Sequence, residues 1–110
     1  MAREQLQTLS EPMYYILLAL AKPMHGYEIM STVSSLTDGR LKVGPGTLYA
    51  LLARFEKDGT ILLADDDGRR KTYVLTDKGR ELLDREYIRL KDLIAAYIKR
   101  LLLKDSGEGE

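Results

Sequence analysis

The sequence has no cysteine, no tryptophan, a single histidine and no net charge over its 110 residues. Without cysteine there is no disulfide framework, no thiolate metal site and no cysteine nucleophile, a pattern typical of a reducing cytoplasm. The one histidine, His25, has no second imidazole with which to build a metal site or a catalytic relay, so we expect neither a metal nor a cofactor. The 17 basic residues are balanced by 17 acidic ones, so the total charge gives no sign of a nucleic-acid partner.

The sequence also lacks a long hydrophobic run. Its longest apolar run, Met13–Ala21, has nine residues and lies between Pro12 and Pro23, whereas a membrane-spanning helix needs about 20. Glu4 and Glu11 precede this run, where a signal peptide would carry basic residues. We therefore expect a cytoplasmic protein of one domain that makes no contact with a membrane.

The first half of the chain has the hydrophobic periodicity of three helices. We predict helices over residues 12–22 and 26–36, and a third that begins at Pro45 and ends at Asp58-Gly59. Ser10 is the expected N-cap of the first helix. That helix is apolar on every face, so it needs cover on more than one side.

From Thr60 the hydrophobic period becomes that of strands. Residues 60–64 and 71–75 are two β-prone runs joined by the turn-rich connector Asp65–Arg70, which predicts a hairpin. Thr76 then caps a long last helix. Three helices followed by a two-stranded wing form a winged helix-turn-helix, so the predicted fold is mainly α with a small β-hairpin. The predicted parts are a winged helix-turn-helix domain at 1–76, a C-terminal dimerisation helix at 77–103 and a flexible tail at 104–110.

The third helix is predicted to have one face for the core and an opposite face of small and polar residues. Leu48, Leu52 and Phe55 point inward, which turns Ala50 and Ala53 outward. Small outward residues let a helix backbone approach base edges in the major groove, although they also occur on ordinary solvated helices. Tyr49 has an alternative place packed under the wing. The candidate DNA contacts on this helix are Gly46, Thr47, Tyr49, Ala50 and Arg54.

The hairpin tip supplies a second candidate DNA contact. Arg69, Arg70 and Lys71 are consecutive cations, and between Gly68 and Arg80 there are five basic residues against one acidic residue. A few well-placed cations neutralise phosphates and make binding dependent on salt. The alternative is a charged turn that is simply solvated.

Four motifs together resemble the PadR family of transcriptional regulators. These motifs lie at residues 25–29, 45–49, 55–59 and 68–79, and the resemblance extends over about residues 15–90. It implies a winged helix-turn-helix repressor that binds operator DNA as a homodimer and is released by a small effector. The single C-terminal helix is similar to that of the small members of the family.

One departure from the family concerns the last helix. Some small members stack flat aromatic drugs on a tryptophan there, and the corresponding place in this chain is near Leu90. The resemblance therefore does not imply a drug-stacking mechanism for this sequence. Near the start of the second helix, we expect a structural role for His25 and a core position for Tyr27, with contact to the DNA backbone as the alternative for Tyr27.

The last helix has the seam of a helix dimer. Its apolar residues Leu83, Tyr87, Leu90, Ile94, Tyr97 and Leu101 are spaced 4, 3, 4, 3 and 4. We expect this helix to cross to a second subunit and pack against its first and last helices. Residues of these helices form either a closed dimer core or a pocket for a small apolar or aromatic effector. The candidate residues are Met13, Tyr14, Tyr15, Leu18, Leu83, Tyr87, Leu90, Ile94 and Tyr97.

Two readings of the function follow from these residues. The first is a sequence-specific, DNA-binding regulator of transcription, a homodimeric repressor on double-stranded operator DNA. The alternative is a winged-helix module that binds other proteins and not DNA. We do not expect an enzyme, because no nucleophile, phosphate loop or metal spacing accompanies the acidic residues.

Overall fold

The computed structural model of the chain describes residues 9–103, and the predicted tail at 104–110 lies outside them. Within the described residues, helices and three short strands follow one another in the order of a winged helix-turn-helix. The elements are α1 (Glu11–Ala19), β1 (Met24–His25), α2 (Gly26–Leu36), α3 (Pro45–Lys57), β2 (Ile61–Asp66), β3 (Lys71–Leu75) and α4 (Asp77–Tyr97), which continues as a π-helical turn over Ile98–Leu102.

Capping residues set the helix bounds much as the sequence predicts. The Ser10 hydroxyl accepts the Met13 N–H at 3.3 Å, and the Thr76 hydroxyl accepts the Gly79 N–H at 3.0 Å. Gly59 closes α3 with a φ of 77°, a left-handed conformation that favours glycine. The helix α1 ends at Ala19, short of the predicted residue 22, because the chain tightens into i→i−3 hydrogen bonds before Pro23.

The sheet has one strand more than the predicted hairpin. Its order is β1-β3-β2, and both pairs are antiparallel. The additional strand β1 is only two residues long, and Met24 lies opposite Tyr73. Strand β2 also extends two residues past Ala64, with an irregular register between Leu63 and Asp65. The wing is therefore fastened to the residues that lead into α2.

The core lies between α1, α2, α3 and the base of the wing. Its largest fully buried side chains are Phe55, Ile16, Leu17, Leu20, Ile29, Leu48, Leu52, Ile61 and Val33. The start of α4 closes the base of the wing, where Gly79 is buried against the Thr60 carbonyl and a Cβ on it would lie 2.1 Å from that oxygen. Burial of these side chains fixes the orientation of α3.

The two halves of α4 have different surroundings. The first turns bury Gly79, Leu83 and Glu86, whereas every residue from Lys91 to Leu103 is exposed. The radius of gyration is 17.3 Å and the extents are 65 × 38 × 21 Å, compared with a radius of about 13 Å for a compact domain of 100 residues. The second half of α4 therefore projects from the domain.

Candidate nucleic-acid interface

The turn between α2 and α3 is stabilised by hydrogen bonds of the Thr37 side chain. The Thr37 hydroxyl donates to the Val33 carbonyl at 3.0 Å and accepts the Leu41 N–H at 3.1 Å. Asp38 and Gly39 take positive φ angles of 52° and 79°, which reverses the chain. This network sets the path of the chain between α2 and the start of α3.

The outward face of α3 consists of small and polar residues. Leu48, Leu52 and Phe55 are buried. Gly44 at the N-cap has no side chain to accept the first N–H groups, so this end of α3 keeps a partial positive charge. The exposed residues of the helix are Pro45, Gly46, Thr47, Tyr49, Ala50, Ala53, Arg54, Glu56 and Lys57.

The acidic residues of the wing tip fold back onto its backbone. The Asp67 carboxylate accepts the Arg69 and Arg70 N–H groups at 2.9 and 2.8 Å, and the Asp66 carboxylate accepts the Gly68 N–H at 3.0 Å. These backbone hydrogen bonds, from Arg70 first and then Arg69, hold the pKa of Asp67 below its usual value. The acidic residues thus build the turn.

The basic side chains of the wing tip are exposed. In the part of the chain that the structure describes, no salt bridge within 4.0 Å joins Arg69, Arg70 or Lys71 to a carboxylate. On α3, Arg54 approaches Asp58 at 4.0 Å, and both side chains are about half exposed. Exposed cations of this kind are available to a polyanion.

An open cleft of about 440 Å³ lies between the start of α2, the side of α3 and the wing. This cleft is lined by four of the sequence-predicted DNA contacts: Tyr49, Arg69, Arg70 and Lys71. The other four predicted contacts lie along the exposed face of α3 and are Gly46, Thr47, Ala50 and Arg54. The residues that complete the cleft are His25, Gly26, Tyr27 and Tyr73. Sequence reasoning gave no binding role to His25, Gly26 or Tyr73, and the strand β1, which brings them together, has no sequence signal.

The predicted core position of Tyr27 is wrong. Its side chain is 74% exposed, because it points away from the helix face that buries Ile29 and Val33. The structural role expected for His25 is confirmed by its position as the N-cap of α2. There its backbone N–H donates to the Glu28 carboxylate at 3.0 Å, which forms one half of a capping box.

The predicted dimer and effector residues fall into three groups. Met13 and Leu83 are buried in the core of the single chain. Tyr14, Tyr15, Leu18 and Leu90 are half-buried, and the rings of Tyr14 and Tyr15 meet edge to face at 5.5 Å. The most exposed are Tyr87, Ile94 and Tyr97.

The sequence from residue 16 to 85 matches the model of the PadR-like transcriptional regulator family. The chain belongs to this family. The resemblance found in the four motifs is confirmed, and so is the winged-helix fold with a long C-terminal helix. The PadR-like family consists of transcriptional regulators that bind DNA, and this chain is accordingly a regulator and not an enzyme.

Individual relatives agree with this assignment. A 37.1 kDa protein of a Streptomyces fradiae transposon is 43% identical over 72 residues, 64% of this chain but only 20% of that protein. Protein X of Lysinibacillus sphaericus is 32% identical over 91 residues, which cover 76% of this chain and 84% of the relative. A PadR family regulator from Eggerthella lenta, known from a crystal structure, is 30% identical, with a TM-score of 0.62 over 88% of this chain and 81% of that one.

No helix among residues 9–103 of this PadR-like chain is both long and apolar enough to cross a membrane.

Proposed function

We propose that this PadR-like regulator is a homodimeric repressor that binds double-stranded operator DNA in a sequence-specific way. One observation carries the proposal: Tyr49 of α3 and the exposed cations of the wing tip line the same open cleft, and the small residues Gly46 and Ala50 lie on the exposed face of the same helix. A helix with small outward residues fits the major groove, and a cationic wing fits the adjacent phosphates. Within α3, Thr47, Ala50 and Arg54 face the bases in this arrangement.

The charge distribution supports this use of the wing. Residues 37–80 hold nine basic and seven acidic residues, and two of those acids, Asp66 and Asp67, are hydrogen-bonded within the turn. The zero net charge of the chain thus conceals a local excess of positive charge at the proposed DNA surface. Binding through such a surface weakens as salt rises.

The homodimer is the second part of the proposal. The projecting half of α4 exposes large apolar residues that a single chain leaves in water: Leu93, Ile94, Tyr97, Ile98, Leu101 and Leu102. A second copy of the same helix, related by a two-fold axis, covers this surface and places two α3 helices on two half-sites. In this proposal, residues 1–76 bind DNA and residues 77–103 join the two subunits.

A small effector is the third part of the proposal. Tyr14, Tyr15 and Leu18 on α1 are half-buried, and Leu90 on α4 is half-buried as well. Packing of the partner's α4 near these side chains encloses an apolar space with tyrosine hydroxyls at its edge, which suits an apolar or aromatic molecule. Occupation of that space changes the distance between the two α3 helices and releases the operator.

A charge-reversal experiment tests DNA binding. The wild-type chain and Arg69→Glu/Arg70→Glu are titrated onto the promoter of its own gene at two salt concentrations, by gel shift. We expect the variant to lose binding at physiological salt and the slope against log salt to fall by about two, because two phosphate contacts are gone.

The matched control is Arg85→Glu/Lys99→Glu, which makes the same change of charge on an exposed residue of α4 and an exposed residue of the π-helical turn that follows it. It keeps its operator affinity within about twofold. If both variants bind the promoter as the wild type does, the chain is a module for protein partners and the proposal is wrong.

A further inference from the structure

We infer that Gly26 is a positioning residue for DNA binding, because the Tyr49 ring occupies the space that a side chain on residue 26 would fill. We call this contact between Gly26 and the Tyr49 ring the seat. Gly26 is the first residue of α2 and is buried. A Cβ on Gly26 would lie 2.2 Å from the Tyr49 hydroxyl oxygen and 2.8 Å from Cζ of the same ring. Real Cβ atoms do not approach other heavy atoms this closely, so any side chain at residue 26 displaces Tyr49.

The backbone does not require glycine at this position. The glycines with positive φ among the described residues are Gly39, Gly59 and Gly68, so the backbone of Gly26 is open to any L-residue. Alanine is moreover favoured over glycine within helices by about two- to fivefold in equilibrium constant. The contact with Tyr49 is therefore the physical reason for a glycine here.

The seat fixes the ring of Tyr49, which belongs both to the exposed surface of α3 and to the lining of the cleft. Tyr49 projects from α3, yet its ring crosses to the start of α2 and lines the cleft beside Arg70 and Lys71. Its neighbour across the cleft is Tyr73, whose pKa is raised by burial and, to a smaller extent, by Glu56 and Tyr49. About half of the Tyr49 side chain remains exposed.

A ring held in this way is ordered before DNA arrives. A side chain that is already fixed loses less conformational entropy on binding than a free one. The inference rests on the proposed function, since it assigns the fixed hydroxyl of Tyr49 to the DNA surface between α3 and the wing. Gly26 contributes by holding Tyr49 in place and needs no contact with DNA itself.

A double-mutant cycle tests the inference. Gly26→Ala, Tyr49→Ala and the double variant are compared with the wild type for operator affinity and for thermal unfolding. We expect Gly26→Ala alone to weaken operator binding by about 5- to 50-fold, as is usual for residues coupled by direct contact. In the Tyr49→Ala background the same substitution has no further effect on affinity and does not lower the unfolding temperature.

Additional variants keep the test decisive. Gly26→Ala/Tyr49→Phe removes the oxygen of the closest contact but leaves Cζ, so its unfolding temperature lies between those of Gly26→Ala and the double alanine variant. Ser35→Ala, on an exposed position of the same helix, controls for substitution in α2. If Gly26→Ala fails to fold, recovery of folding in the Tyr49→Ala background supports the seat.

Two results overturn the inference. One is an equal loss of affinity from Gly26→Ala in the presence and absence of the Tyr49 ring, which would mean that residue 26 acts independently of it. The other is wild-type affinity in Tyr49→Ala, which would remove Tyr49 from the DNA surface. Failure of the wild-type chain to bind the promoter would instead overturn the proposed function, so the two failures are distinguishable.

Discussion

The outward face of α3 and the projecting half of α4 are both exposed in the single chain, but their side chains differ in size and charge. On α3 the exposed positions hold small residues such as Ala50 and Ala53, with cations nearby, whereas on α4 they hold Leu93, Ile94 and Tyr97. Burying one such large apolar side chain is worth about 1.5–3 kcal/mol. An apolar surface of this extent is typical of a protein interface, whereas a small-residue surface with free cations suits a polyanion.

This contrast shows that exposure alone does not identify a partner. The size of the side chains decides how closely another backbone or a groove can approach, and the ion pairs of the charged residues decide which cations are already held by a carboxylate. At the wing tip, the Asp66 and Asp67 carboxylates keep their charge but accept backbone N–H groups, and among the described residues neither forms a salt bridge with the Arg69 or Arg70 side chain. The two surfaces can be separated by substitutions that damage one and spare the other.

The largest effect is expected for Ile94→Glu on α4. A carboxylate in an apolar dimer interface loses solvation without gaining a partner, so the dimer dissociation constant should rise by more than about 100-fold. Sedimentation equilibrium measures it directly. The matched control is Ala96→Glu, which introduces the same residue at an exposed position on the opposite side of the helix. A dimer that survives Ile94→Glu as well as it survives the control would remove this surface from the interface.

The next largest effect is expected for Ala50→Glu on α3. A longer, negatively charged side chain keeps the helix backbone from the groove and repels phosphates, so operator affinity should fall by roughly 50- to 100-fold. The dimer dissociation constant should stay unchanged. Ile94→Glu, in contrast, weakens both properties, because simultaneous binding to two half-sites needs two joined subunits. Loss of dimerisation in Ala50→Glu would show that the two surfaces are not independent.

The sequence predicts most of the fold because its signals are local. Ser10, Thr76 and Gly59 fix helix ends through their own caps and backbone angles. The sequence does not predict the strand β1, because two residues are too few to show an alternation of apolar and polar side chains. Met24 and His25 form a strand only because they pair with the edge of β3. The π-helical turn at Ile98–Leu102 has the same residue types as the α-helix before it, so composition gives no sign of it.

The candidate site is only partly predictable, since it joins three separate segments. The spacing of Leu48, Leu52 and Phe55 is enough to place Ala50 on the outward face. The cleft, however, depends on how the wing folds against the start of α2, a tertiary arrangement that no local pattern contains. Tyr27 illustrates the limit: its residue type suggested the core, although its helical position opposite Ile29 leaves it exposed.

A smaller effect is expected where the first half of α4 meets the wing. Gly79→Ala would place a Cβ 2.1 Å from the Thr60 carbonyl oxygen and 2.9 Å from a Leu75 methyl group. The resulting overpacking should lower the free energy of unfolding by about 2–3 kcal/mol, measured by urea denaturation. The control Glu81→Ala, at an exposed position on the opposite side of the same helix, should change it by less than about 0.5 kcal/mol. Unchanged stability in Gly79→Ala would show that α4 does not pack on the wing base.

The smallest effect is expected for Glu86→Gln, and it depends on pH. Glu86 is only 5% exposed and pairs with Arg89 at 2.7 Å. Hydrogen bonding and attraction from Arg89, together with the Leu9 N–H, lower the pKa of this carboxyl below its usual value despite its burial. A lowered pKa in the folded state stabilises the protein at neutral pH, and this stabilisation is lost as the pH falls below about 4.3, the value in an unfolded chain.

Glu86→Gln should therefore reduce the free energy of unfolding by about 1–2 kcal/mol at pH 7. The difference from the wild type should shrink toward zero as the pH falls through the acid range, because the wild-type carboxyl then becomes neutral as well. Urea titrations at several pH values measure both curves. The control Asp84→Asn removes a carboxylate from an exposed pair with Arg80 on the same helix, where a much smaller change is expected. A deficit in Glu86→Gln that persists unchanged at low pH would mean that packing of the side chain, and not its charge, joins Leu9 to α4.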